Sequence, residues 1–144
     1  MLINLLLGLP TMALCLLTQS VLIIVALRYY TSHERWINNP SFSTSLIVVS
    51  SVMLLLVAGN LVQVAIWALL FQIVGEFGHF DVAFYHSAVN FSTLGYGDIV
   101  MSDQHKLLGP LQAINGVLMI GVSTAALMAA FQDAIKKTID ARKA

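Results

Sequence analysis

Charge is scarce in this chain. Charged residues fill 10% of its 144 positions, and the mean hydropathy is +0.86. A soluble domain carries about 25% charged residues, so a water-soluble globule is excluded. Seven Lys and Arg balance seven Asp and Glu, which leaves no basic excess to draw a nucleic acid. With one cysteine, Cys15, neither an intrachain disulfide nor a cysteine metal site can form. Cys15 lies in an apolar run, where it reads as a small hydrophobe against lipid or a neighbouring helix. The chain also lacks a nucleophile–base pair, a metal-ligand cluster and a phosphate-binding loop. Nothing therefore points to an enzyme or to a cofactor.

What is present is apolar length. Three stretches carry no Asp, Glu, Lys or Arg: Met1 to Leu27, Trp36 to Gly75 and Leu107 to Gln132. Each exceeds the roughly 20 residues that a membrane-spanning helix needs. The first has no positive segment before its apolar core, so it reads as a retained helix and not as a cleaved signal. Arg28 to Ser43 reads as a polar loop, with Asn38 to Pro40 as a helix-start signal and Tyr29, Tyr30 and Trp36 as an interfacial belt. The second stretch is longer than one crossing requires and is expected to tilt or to extend into the interface. No stretch carries arginine at every third position, which excludes a voltage sensor of that kind.

Between the second and third stretches lies an irregular segment, Glu76 to Lys106. Within it, "FDVAFYHSAVNFS" predicts a short helix starting near Asp81, with that carboxylate as its cap. A helix of this length cannot cross a bilayer and is expected to be re-entrant. Arg28 and Arg35 then share a side with Lys136, Lys137, Arg142 and Lys143, and the positive-inside rule makes that side cytoplasmic. The N-terminus falls outside and the C-terminus inside. The expected division is residues 1–43 as a first helix with its loop, 44–134 as a central domain, and 135–144 as a short basic tail with no ligand-binding domain attached.

The stretch "STLGYGD", Ser92 to Asp98, needs an account of its own. Non-helical backbone at membrane depth is tolerated only inside protein or beside a water-filled cavity. Its carbonyls need partners there, and cations are natural ones. Gly95 and Gly97 permit positive φ, and glycine at every second position lets successive carbonyls face one way. Thr93 adds a hydroxyl at one end of the row.

This stretch resembles the selectivity filter of tetrameric potassium channels, usually written T-V-G-Y-G-D. "AFYHSAVNFSTLGYGD" is similar to that family's pore helix plus filter, and the order helix, pore loop, helix matches from Leu46 to about Gln132. The resemblance implies an all-α membrane protein of three transmembrane helices plus a re-entrant pore helix, four subunits closing a central pore. It implies that Thr93, Leu94, Gly95, Tyr96 and Gly97 bind K⁺ as the transported ion, with Asp98 at the outer mouth. It also implies a gate hinge at Gly116, for which close helix packing is the alternative. Asn115 is expected to line the cavity or to hydrogen-bond between helices. The implied partners are K⁺, membrane lipids and three further copies of the chain, in a bacterial inner membrane. Alternatives on the same residues are a non-selective cation channel and a non-conducting membrane subunit.

Several positions depart from the family pattern. Leu94 stands for Val or Ile, Tyr85 and His86 for two bracing tryptophans, Val89 for an acid found in some members, and Met101 for a proline. Tyr96 is expected to pack behind the filter with its hydroxyl on the pore helix. Gly121, Ala125 and Ala129 form a small-residue face, suited to a helix crossing or a narrow pore wall. Asn60 and Gln63 read as interhelical hydrogen bonders. His79, His86 and His105 read as ordinary polar contacts ahead of proton sensors. The acids Glu76, Asp81, Asp98 and Asp103 would enrich cations at the mouth.

Overall fold

The computed structural model describes residues 1–33 and 42–143, and four helices account for most of them. They are α1 (Leu2–Ser32), α2 (Phe42–Ile73), α3 (Phe80–Phe91) and α4 (Leu108–Lys143). No strand occurs among the described residues. Three helices are long and apolar enough to cross a membrane, over Leu2–Ser32, Leu46–Ile73 and Leu108–Asp140. The 12 residues of α3 rise only about 18 Å, well short of a hydrocarbon core of about 30 Å. The chain is thus an all-helical membrane protein with three spans and one short helix between the second and third.

Some boundaries differ from expectation. α1 runs through Arg28 to Ser32, so those residues are helical and not loop. Arg35, Trp36 and Asn38 to Pro40 lie outside the described residues. α4 continues through the expected tail to Lys143. α3 starts at Phe80, with His79 in the cap position and no side-chain cap bond. Asp81 sits in the first turn instead, where its charge complements the helix dipole.

Two compact units divide the described residues. The first comprises Met1–Gln19 and Asn60–Ile120, and therefore holds all of α3. Its core packs Trp67, Ala68, Phe71, Phe77, Ala83, Leu108 and Cys15. Phe71 is the hub, with ring centroids 5.9 Å from Trp67, 6.3 Å from Phe77 and 5.6 Å from His86. The first part of α1, up to Gln19, belongs to this unit. Gly8 comes so close to Leu111 that a Cβ there would lie 2.6 Å from its Cδ1. The Asn4 amide donates to the Gln104 carbonyl at 3.0 Å, and the Gln63 amide donates to Gln19 Oε1 at 2.7 Å. The last is the interhelical bond expected of Gln63.

The second unit comprises Ser20–Gly59 and residues 121–144. Ala26, Tyr30, Val48, Val49, Val52, Leu56, Ala130 and Ala134 form its core. The Tyr30 hydroxyl donates to Asp133 at 2.9 Å, and Lys137 Nζ pairs with the same carboxylate at 2.8 Å. Within the chain Gly121, Ala125 and Ala129 remain exposed.

Candidate functional site

α2 ends where Gly75 takes φ +79°. The Glu76 N–H then reaches the Phe71 carbonyl and the Gly75 N–H the Gln72 carbonyl, both at 3.0 Å. This is the Schellman ending, which places a left-handed residue just past the last turn. α3 ends the same way. The Leu94 N–H donates to the Val89 carbonyl at 3.0 Å and the Thr93 N–H to the Asn90 carbonyl at 2.9 Å. Thr93 holds the left-handed place here, with φ +58°. A β-branched residue in that region is an outlier costing about 1–3 kcal/mol. The "TLGYG" strip therefore leaves α3 through a strained cap.

The strip keeps alternating. Gly95 has φ +58° and Gly97 φ +74°, as their spacing predicts, while Leu94 and Tyr96 keep negative φ. The Gly95 N–H points back to Val89, at 3.5 Å. Among the described residues no donor reaches the carbonyls of 93–97. All five residues are exposed on the single chain. The negative end of the α3 dipole lies at the start of this strip.

The far end of the strip is tied to α3 as well. The Tyr85 hydroxyl donates to Asp98 at 2.7 Å. That bond holds the Asp98 carboxyl below its ordinary range and pushes the Tyr85 phenol up. His86 Nδ1–H donates to the Ile99 carbonyl at 3.0 Å, and the Asn90 amide donates to its Nε2 at 2.9 Å. One ring nitrogen donates while the other accepts, which requires a neutral imidazole. Burial lowers the His86 pKa and favours that form. Tyr85 and His86 thus hold the filter-like strip where the resembling family often has tryptophans. On the single chain Tyr96 is 67% exposed.

A second tie lies beyond the strip. Glu76 accepts from the Ser102 N–H at 2.7 Å, from the Ser102 hydroxyl at 2.5 Å and from His105 Nδ1–H at 2.6 Å. Burial pushes the Glu76 carboxyl up, but these donors outweigh it and hold the pKa below the usual carboxylate value. A carboxylate so lowered stabilises the fold fully above its unfolded pKa of about 4.3, and the gain is lost as pH falls through the lowered value. Glu76→Gln is therefore expected to cost about 1–3 kcal/mol at pH 7. The difference from wild type should be constant above the unfolded pKa and shrink as the pH falls through the lowered value. Melting temperatures from neutral to acid pH check it, and a gap that does not shrink as the pH falls would rule out the charged carboxylate as its source.

Two other expected residues fall in different surroundings. Gly116 is pressed against α3, since a Cβ there would lie 2.0 Å from the Phe91 carbonyl oxygen. This is the close packing held open as the alternative to a hinge. Asn115 does not line an open face. It is fully buried in the first unit beside Cys15. The helical phase that turns Gly116 toward α3 also turns Asn115 inward within the single chain.

A family model described as "Ion channel" matches residues 54–133, more than half of the chain. The chain belongs to the pore-loop ion channel family. The matched stretch starts within α2, contains α3 and the strip, and ends within α4, while α1 lies outside it. Neither a curated protein nor a solved structure gives a match. Family and helices agree on an ion channel of the membrane. Sequence reasoning missed Ser87 and Gln112, which are fully buried and join α2, α3 and α4. The signal for Gln112 was available, since an amide in a charge-free span needs a partner.

Proposed function

We propose that four copies of the chain surround one pore and pass K⁺ passively, down its electrochemical gradient. The carbonyls of Thr93, Leu94, Gly95, Tyr96 and Gly97 replace the hydration shell of the ion in successive sites. Each site holds K⁺ weakly enough to pass it on. The supporting observation is the alternation of φ sign from Thr93 to Gly97, together with carbonyls that no donor in the described chain takes up. Alternating handedness is the backbone condition for oxygens that face one way. Asp98 adds a fourfold ring of charge at the outer mouth. Arg28, Arg35 and the basic C-terminal segment face the cytoplasm, the N-terminus lies outside, and the membrane is a bacterial inner membrane. Lipids cover the outward apolar faces.

Purified protein in liposomes should carry K⁺ far faster than Na⁺, with a reversal potential that follows the K⁺ gradient. Equal permeabilities would favour the non-selective channel. A monomer or dimer in mild detergent, with no flux, would favour a non-conducting subunit, because two copies cannot close rings of four.

A further inference from the structure

We propose that Ser87 and Gln112 are positioning residues for ion discrimination, a polar lock that sets the depth and rotation of α3 and through it the carbonyl strip. The inference rests on the potassium reading above. α3 is too short to span and has no membrane anchor of its own, so its neighbours must fix its place. Ser87 is fully buried and uses both capacities of its hydroxyl. It donates to the Val64 carbonyl of α2 at 2.7 Å and accepts from Gln112 Nε2 of α4 at 2.5 Å. The second N–H of the same amide goes to the Ser87 carbonyl at 3.0 Å. Three helices of the first unit thus meet at one side chain.

The lock sits where it can act on the strip. Ser87 is two residues before Val89, whose carbonyl receives the N–H groups of Leu94 and Gly95. It is one residue after His86, which holds Ile99 beyond the strip. A rotation or slide of α3 therefore moves both ends of Thr93–Gly97 together. The apolar cluster of Val64, Phe91 and Met119 packs without directional bonds. Hydrogen bonds are directional, and between buried helices no water competes for them.

Gln112→Met keeps the side-chain length and removes both donors, while leaving the bond from Ser87 to Val64. Ser87→Ala removes the hub itself. Reconstituted in liposomes under opposed K⁺ and Na⁺ gradients, each variant should show a Na⁺-to-K⁺ permeability ratio raised about threefold. That is the factor one interhelical hydrogen bond in a membrane carries on average. A second readout is the melting temperature in K⁺ minus that in Na⁺, since an ion that binds only the folded state raises it by mass action. That difference should shrink in both variants. Melting temperatures that fall equally in both salts, with an unchanged permeability ratio, would reduce the lock to plain packing and overturn the inference. If Ser87→Ala fails to assemble, Gln112→Met decides alone. A wild type that passes Na⁺ as well as K⁺ would sink the potassium reading itself, an outcome visible before any variant is made.

Discussion

Gly95→Ala is expected to abolish K⁺ flux and leave the protein folded and assembled. The reason is conformational and not steric, since a Cβ on Gly95 meets no atom within 4 Å in the chain. Its φ of +58° is left-handed. There an L-residue with a side chain pays roughly 1–2 kcal/mol, or about 4–8 kcal/mol over four subunits. The inexpensive escape is to swing φ negative. That rotation flips the peptide between Leu94 and Gly95, withdraws a carbonyl from the row and turns an N–H into its place. In the proposed tetramer four such flips would put a ring of donors where cations must pass. The flip gives up the long bond from the Gly95 N–H to Val89, but the Leu94 bond to Val89 and the ties at Tyr85 and His86 stay intact, so the helices keep their packing. Flux from liposomes, read beside the oligomer's size in mild detergent, is the measurement. Wild-type flux from a homogeneous Gly95→Ala preparation would remove the strip from the conduction path.

The spans and the strip were legible in the sequence because each rests on a strong local signal. Charge-free runs longer than a bilayer is thick leave few alternatives, and glycine at every second position announces its dihedrals. The ends of α3 were less legible. A cap at Asp81 was a fair reading of an acid before an apolar helix, yet the helix starts one residue earlier and uses that charge in its first turn. The left-handed place at Thr93 was hidden, because a Schellman ending favours glycine or asparagine there. Only the three-dimensional context overrides that preference. Asn115 and Gly116 show the same limit on α4. Their helical phase decides which faces α3 and which the interior, and a span that is apolar all round carries no periodic mark of its phase. The ties that brace the strip join residues far apart in the chain, such as Glu76 with His105, and no sequence spacing foretells them.

Gly116→Ala is expected to damage the fold more than alanine at any other glycine of the chain. Real Cβ atoms do not approach within 3.0 Å of another heavy atom. This one would stand 2.0 Å from the Phe91 carbonyl oxygen, 2.8 Å from its carbon and 2.9 Å from its Cα. All three atoms are backbone, so no side-chain rotation relieves the contact. α4 must back away from α3, and it cannot do so without loosening Gln112 from Ser87, one turn earlier on the same face. Overpacking of a core costs typically about 1–3 kcal/mol, and a backbone clash belongs at or above the top of that range. The fold should therefore lose about 3 kcal/mol or more, seen as a sharply lower melting temperature and poor recovery of assembled protein. Gly121→Ala is the matching comparison, because nothing lies within 4 Å of a Cβ there, and it should fold as wild type does. A pure hinge predicts the reverse for Gly116, since alanine is a good helix former and would stiffen α4 without harm to its stability. A Gly116→Ala protein that melts with wild type and differs only in how often it opens would restore the hinge and dismiss the contact as the reason for glycine.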